Sequence, residues 1–166
     1  KYMVISDLEI LLFAINLGCI DLNPFSSSIG TLDRPDYMIL DLDPENTTFE
    51  IVIEVALTIY ELLESISVPS YCKTSGGRGL HIYIPLNARY TYDQSKKFAE
   101  LITNIIHAKL PKLISLEHNP SNRQKKVHID CLRNAYGQTV ASVYSVRPRP
   151  GALVCTPLEW SEVKSG

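Results

Sequence analysis

Apolar positions along this chain fall into two patterns, short runs that suit strands and wider spacings that suit helices. Five segments are rich in β-branched and aromatic residues and are bounded by Gly, Pro, Asn or Asp. This combination is typical of strands. It predicts strands at residues 37–42, 70–74, 80–85, 127–131 and 139–146.

Helix starts are marked by the Ser/Thr-x-x-Glu/Gln capping box, which satisfies backbone N–H groups of the first turn. The box occurs at residues 6–9, 47–50, 91–94 and 156–159. Apolar spacing then predicts that the first three helices end near Asn16, Ser65 and Leu110, and that the fourth runs into the C-terminus.

The order of these elements indicates an α+β fold. Only a glycine turn separates the predicted strands at 70–74 and 80–85, and no helix lies between the last two strands. We therefore expect a mixed β-sheet core with packed helices rather than a doubly wound sheet. The length of 166 residues and the hydrophobic content of 45% suit a single domain over residues 1–166.

The composition also bears on location and on the cysteines. The apolar run at 10–15 is too short to cross a bilayer and follows acidic residues, so we expect no signal peptide or membrane anchor and a cytoplasmic location. The four cysteines lack C-x-x-C spacing, which predicts reduced core residues rather than disulfides or zinc ligands. They are Cys19, Cys72, Cys131 and Cys155.

Charge is unevenly distributed, although the net charge is only −2. Residues 31–64 contain nine acidic residues and one basic residue, whereas residues 121–150 contain six basic residues and one acidic residue. An acidic half can hold cations while a basic half meets phosphates. A solvated helix face and a solvated loop would produce the same counts, so the charges alone leave both interpretations open.

Paired carboxylates are the first candidate chemistry. Asp41 and Asp43 end a predicted strand, where residues two apart project from the same face. A cation, a shared proton or full solvation relieves their repulsion, so the pair suits a divalent metal. Alternation at 127–131 turns Asp130 to a polar face together with His128, which we interpret as a partly exposed structural histidine. Three acids from two strands suit two Mg²⁺ or Mn²⁺ ions.

A glycine-rich loop at residues 75–79 is the second candidate. Glycines such as Gly76 let the backbone approach an anion, Arg78 can bind phosphate oxygens, and the following strand turns His81 away from the core. The loop lacks the Gly-Lys-Ser/Thr ending of a P-loop and precedes a strand, which excludes P-loop chemistry. A glycine hairpin with an incidental arginine is the alternative.

Two further arginines, Arg147 and Arg149, end the last predicted strand beside prolines that restrict their directions, although solvated loop arginines would give the same pattern. These candidates lie in four motifs, and with the motifs in this order the chain resembles the polymerase domain of bacterial ligase D, in the archaeo-eukaryotic primase superfamily. The motifs are Asp-Leu-Asp-Pro at 41–44, Lys-Thr-Ser-Gly-Gly-Arg-Gly-Leu-His at 73–81, Asp-Cys-Leu-Arg-Asn at 130–134 and Tyr-Ser-Val-Arg-Pro-Arg-Pro-Gly at 144–151.

The resemblance implies a primase-type catalytic core. It implies attack of a primer 3′-hydroxyl on the α-phosphate of a nucleoside triphosphate, with two Mn²⁺ or Mg²⁺ ions as cofactors. The residues implied as catalytic and metal-binding are Asp41, Asp43 and Asp130, and those implied as nucleotide-binding are Ser75, Gly76, Arg78, His81 and Arg147.

The resemblance also implies partners and a setting. They are DNA ends or gapped DNA in non-homologous end joining, with Ku and ligase or phosphoesterase modules, at the prokaryotic nucleoid and without a membrane. Relatives carry an N-terminal portion ahead of the position of Lys1, which this sequence is expected to lack. The chain departs from the family pattern at Arg78, where many relatives have Lys, and at Asn23, Phe25 and Ser28, where His, Trp and Arg are common. We therefore expect altered phosphate geometry and assign Asn23 no catalytic role.

Two rival interpretations remain. A phosphohydrolase would use Asp41 as a nucleophile, but such enzymes usually have Thr or Val where this chain has Glu45, and they leave the loop at 75–81 without a role. A nucleotide or DNA-end binding module without catalysis would use the acidic residues only for structure.

Overall fold

A six-stranded mixed sheet forms the centre of the molecule. The computed structural model describes residues 2–165. In this part of the chain the strand order is β4-β5-β1-β3-β2-β6, and only the β4–β5 pair is parallel. The mixed sheet expected from the sequence is thus confirmed. The strands are β1 (Tyr37–Pro44), β2 (Tyr71–Thr74), β3 (Leu80–Pro85), β4 (Ile114–Ser115), β5 (Val127–Asp130) and β6 (Pro157–Leu158).

Helices cover one face of this sheet. Alternation in β1 buries Met38, Leu40 and Leu42 completely, and these side chains join the apolar stripes of α2 and α3 in one core. Each such side chain contributes about 1.5–3 kcal/mol on burial. The alternate positions of β1 point to the opposite face, where the polar candidates lie. The helices are α1 (Leu8–Asn16), α2 (Phe49–Ser65), α3 (Tyr92–Lys109) and α4 (Trp160–Ser165).

Helix caps match the sequence prediction fully only at α3. The capping box at 91–94 is formed as predicted. At 6–9 the cap is Asp7 rather than the preceding serine, because its side chain accepts the backbone N–H at the third helical position, at 2.9 Å. The box at 47–50 lies at the start of α2, but the cap residue makes no side-chain hydrogen bond. The helix start predicted at 156–159 is wrong, because Pro157 and Leu158 pair with β2 as strand β6 and α4 begins only at Trp160.

The strand predicted at 139–146 does not form. Single bridges at Thr139 and Val146 are its only β pairing among the described residues. Tyr144 has a φ angle of 62°, which interrupts an extended backbone. Backbone N–H groups of the segment bond instead to carbonyls in segment 20–22 and at Cys155. The segment is therefore a loop on the polar side of the sheet.

All four cysteines are free, and their burial differs from the prediction at one position. Cys72 and Cys155 are buried and Cys131 is half-buried, whereas Cys19 is exposed. The prediction of a core residue is wrong at Cys19 because the chain leaves α1 there in an exposed turn. Within residues 2–165, no helix combines the length and apolar character needed to cross a membrane.

Candidate functional site

Cross-strand pairing places four ionisable side chains in one row on the open face of the sheet. Asp41 of β1 lies opposite Asp130 of β5 on one side and opposite His81 of β3 on the other. His81 in turn lies opposite Lys73 of β2. Directly opposed residues project from the same face. The predicted common face of Asp41 and Asp130 is therefore present.

Asp41 contacts the imidazole of His81 and the guanidinium of Arg133. His81 Nε2 lies 3.3 Å from Asp41 Oδ1, and Arg133 Nε lies 3.4 Å from Asp41 Oδ2 and 3.3 Å from Asp130 Oδ2. Burial acts to raise the pKa of Asp41, but the hydrogen bond and charge of His81 and the charge of Arg133 outweigh burial and hold this pKa below its ordinary value. Asp41 is thus an ionised carboxylate at neutral pH.

His81 is on the predicted face but is not open to solvent. The residue is 5% exposed, because its ring lies against Asp41. The buried Nδ1 atom has no hydrogen-bond partner among the described residues. An unpartnered polar atom beside a pocket is available to a ligand oxygen or to a water molecule.

Asp43 shares the face of Asp41 but has a separate cation. Arg123 Nη1 donates to Asp43 Oδ2 at 2.7 Å. The same guanidinium donates to the backbone carbonyls of Glu117 and His118, at 3.2 and 2.9 Å, and Arg123 is buried. This ion pair gives Asp43 a cationic partner of its own, separate from Arg133.

His128 is buried, so the prediction of a partly exposed histidine is wrong. Its Nδ1 lies 3.2 Å from the carbonyl oxygen of Ser115, and its ring meets that of His118 edge-on at 5.5 Å. Strand β4 and the segment after it cover this position, which local alternation could not reveal. Burial lowers the pKa of His128 below its ordinary value, as expected for a structural, neutral imidazole.

The glycine loop is closed by its own serine. Ser75 Oγ accepts the N–H groups of Gly77 and Gly79 at 3.2 and 3.1 Å, so these two groups are not free for an anion. Gly76 adopts a φ of 66°, and a Cβ atom there would lie only 3.0 Å from Cys155 Sγ. The glycines therefore serve loop closure and packing, and the Ser75 hydroxyl proton remains available to a ligand.

Arg147 is oriented by an acidic neighbour that the sequence did not suggest. Its Nη1 atom donates to Asp21 Oδ1 at 3.0 Å, and Asn23 Nδ2 also donates to Asp21, at 3.1 Å. The stem of Arg147 packs against Gly76. Arg149 lies over Gly77. Both arginines leave a loop rather than the predicted strand, and both contact the glycine loop.

One pocket of about 300 Å³ collects nearly all predicted site residues. Gly76 is the exception, because it packs against the stem of Arg147 and against Cys155. Arg133 and Asn23 also line the pocket. Arg133 lies in the motif at 130–134, which could have suggested it, although the sequence assigned it no role. The lining includes Asp41, Asp43, Asp130, Ser75, Arg78, His81, Arg147 and Arg149.

The fit of a divalent metal can be tested on these side chains. Within residues 2–165, no three His, Cys, Asp or Glu side chains are already grouped closely enough to hold a metal ion. Asp41 and Asp130 nevertheless offer the carboxylate oxygens that Mg²⁺ and Mn²⁺ prefer, and a cationic group already lies beside both. The pair fits a divalent ion, and Asp43 would have to share its carboxylate with Arg123 or leave it.

Comparisons with known proteins assign the chain to one family. The sequence model of the LigD primase-polymerase domain matches residues 1–166. The multifunctional non-homologous end joining protein LigD of Pseudomonas aeruginosa is 34% identical over 95% of this chain and 19% of its own length. The bifunctional LigD of Bacillus subtilis is 32% identical over 99% of this chain and 27% of its own length. The chain thus spans about a quarter or less of these relatives.

A solved structure supports the same fold. The polymerase domain of Mycobacterium tuberculosis ligase D, in complex with DNA, superposes with a TM-score of 0.82 at 25% sequence identity. The match covers 93% of this chain and 57% of that domain's chain.

Proposed function

Since the chain belongs to the LigD primase-polymerase domain family, we propose that it is a metal-dependent nucleotidyltransferase that adds nucleotides to DNA ends or gaps in non-homologous end joining. The names of the relatives place those proteins in end joining, and the similar polymerase domain was solved with DNA. The observation that carries the proposal is the pocket itself. Carboxylates of β1 and β5 form one wall, and arginines of the glycine loop and of segment 147–149 form the other.

The carboxylate wall would hold the metal. Asp41 and Asp130 are direct cross-strand neighbours and can share one ion, and Asp43 lies one step further along β1. Bound Mn²⁺ or Mg²⁺ would neutralise the triphosphate and lower the pKa of the attacking hydroxyl. His81 keeps Asp41 ionised and fixes its orientation through the 3.3 Å contact.

The arginine wall would bind the phosphates. Arg78 and Arg147 present guanidinium groups that can contact two phosphate oxygens at once, and the Ser75 hydroxyl can donate a further hydrogen bond. Asp21 limits the directions open to Arg147, which favours one phosphate position. These groups would stabilise the negative charge that develops as pyrophosphate leaves.

The test is incorporation of a labelled nucleotide onto gapped, 5′-phosphorylated DNA with Mn²⁺. We expect wild-type protein to extend the primer, and Asp41→Asn and Asp130→Asn to lose extension while remaining folded. Asp33→Asn is the matched control, because Asp33 is an exposed acid outside the pocket. Extension by Asp130→Asn at the wild-type rate would refute the metal assignment.

A nucleotide or DNA-end binding module is the second candidate. One observation favours it. Arginines pair with all three aspartates, and no group of three metal-ligating side chains is formed among residues 2–165. Binding that survives Asp41→Asn, with no incorporation by any variant, would select this candidate. We further propose that residues 1–166 act as one domain in the prokaryotic cytoplasm, with Ku and ligase or phosphoesterase modules as partners.

A further inference from the structure

Arg133 lies between the two carboxylates that would hold the metal. Its Nε atom is 3.4 Å from Asp41 Oδ2 and 3.3 Å from Asp130 Oδ2. The Nε atom is buried, although the side chain as a whole is 42% exposed. The guanidinium therefore supplies the positive charge that this carboxylate pair needs.

This contact depends mainly on charge, because its hydrogen-bond geometry is poor. Arg133 Nε lies within 3.4 Å of both carboxylates, yet it makes no well-aligned hydrogen bond to a described residue. A hydrogen bond weakens steeply when the donor hydrogen points away from the acceptor. A divalent ion has no such directional donor, carries twice the charge and binds carboxylate oxygens directly. The site between the two carboxylates therefore suits a divalent ion better than it suits Arg133.

The backbone beneath Arg133 is fixed, whereas its side chain is 42% exposed. Arg133 belongs to a short 3-10 helix, Leu132–Asn134. The Asn134 side chain bonds to both the N–H and the carbonyl of Ile39 in β1, at 2.8 and 2.7 Å. The N–H of Leu132 bonds to Asp130 Oδ1 at 2.8 Å. Rotation of one side chain would open this site without movement of the sheet.

We propose that Arg133 is a placeholder cation, which neutralises Asp41 and Asp130 until Mn²⁺ or Mg²⁺ displaces it into the phosphate-binding pocket. The inference rests on the proposed function, since it assumes that these carboxylates hold the metal. Arg133 lines the same pocket as Arg78 and Arg147, so the displaced guanidinium remains near the triphosphate. Metal entry and the supply of a phosphate-binding arginine are thereby linked.

The test is titration of the 166-residue chain with Mn²⁺ alone, by isothermal calorimetry and by electron paramagnetic resonance of free Mn²⁺, without nucleotide or DNA. Removal of a competing cation should tighten Mn²⁺ binding, and we expect Arg133→Gln to do so on the order of tenfold. Arg133→Lys should fall between wild type and Arg133→Gln, because the ammonium keeps the charge but has a shorter reach. It also provides a second variant if Arg133→Gln folds poorly.

Matched controls separate a local contact from a general change of charge. Arg149→Gln removes the same charge from the same pocket, but Arg149 forms no ion pair with a described carboxylate, so we expect a smaller gain in affinity. Asp41→Asn placed in the Arg133→Gln background should abolish the gain, which would locate the ion at this site.

Each outcome has one meaning. Equal Mn²⁺ affinity of wild type and Arg133→Gln, with binding lost in Asp41→Asn, would overturn the placeholder role and leave the proposed function intact. Weaker Mn²⁺ binding by Arg133→Gln, or an equal gain in Arg149→Gln, would also overturn it. If no variant shows Mn²⁺ binding that depends on Asp41, these carboxylates do not hold the metal. Both the inference and the proposed function would then be refuted.

Discussion

The approach of Gly79 to strand β1 constrains the pocket most tightly, and we predict that Gly79→Ala destabilises the fold. A Cβ atom at this position would overlap the carbonyl oxygen of Leu42 and lie 3.2 Å from Pro44 Cδ. Neither obstacle can rotate away, because one is backbone and the other is a proline ring. Strands β1 and β3 would have to separate next to Asp41 and Asp43. Overpacking of this kind costs about 3 kcal/mol, the upper end of the usual range.

The measurement is urea unfolding, followed by circular dichroism and by the fluorescence of Trp160, the only tryptophan of the chain. For a protein of this size, a loss of about 3 kcal/mol corresponds to a fall in melting temperature of roughly 6–12 °C. The displaced carboxylates should also bind Mn²⁺ more weakly, which a titration of the folded fraction would show.

Gly30→Ala is the matched control for this prediction. A Cβ atom at Gly30 would meet no atom within 4 Å, and the residue lies in a short 3-10 helix that does not line the pocket. We expect its stability to change by no more than about 0.5 kcal/mol. If Gly79→Ala were as stable as Gly30→Ala, the close passage of the two strands would be disproved.

Three further substitutions test the surroundings of the pocket. Asn134→Ala should lower the free energy of unfolding by about 3 kcal/mol, because it leaves two buried backbone groups of Ile39 unpaired, and a loss below about 1 kcal/mol in urea unfolding would contradict this. Lys73→Met should leave the free energy of unfolding at pH 7 unchanged or higher, because burial disfavours the charged amine and lowers the pKa of Lys73. Wild type alone should gain stability as the pH rises towards 10.5, since the unfolded chain holds this proton more tightly. An identical pH dependence in both proteins would refute this. Asp21→Asn should raise the nucleotide KM roughly fivefold with little change in kcat, because Arg147 loses its anchor worth about 1 kcal/mol, and Asp21→Glu should restore the KM. A fall in kcat alone would contradict that role.

Local periodicity was sufficient for the face on which the β1 carboxylates lie. The alternation of β1 predicts that Asp41 and Asp43 share a face opposite the buried leucines, because the side-chain period of a strand is set by the backbone. The order of strands and connections likewise predicts a mixed sheet. Each of these features depends on residues close together in the sequence.

The other wall of the pocket depends on contacts between distant segments. The segment at 139–146 has strand-like composition, but its N–H groups bond to residues about 120 positions earlier and to Cys155, and Tyr144 takes a positive φ. Composition does not encode the partner of an extended segment, so a strand was predicted where a loop forms. The ion pairs of Arg123 with Asp43 and of Arg147 with Asp21 likewise join residues 80 and 126 positions apart.

The charges around the three aspartates indicate where a first metal ion would enter. Asp41, Asp43 and Asp130 carry three negative charges, and in the structure Arg123 and Arg133 offset two of them. Before a triphosphate binds, two divalent ions would bring four positive charges to the same oxygens, so the arginines and both ions would repel each other strongly at these carboxylates. The Arg133 side chain is 42% exposed, whereas Arg123 is buried and bonded to two carbonyls. The first ion should therefore enter between Asp41 and Asp130, and recruitment of Asp43 should need a larger rearrangement.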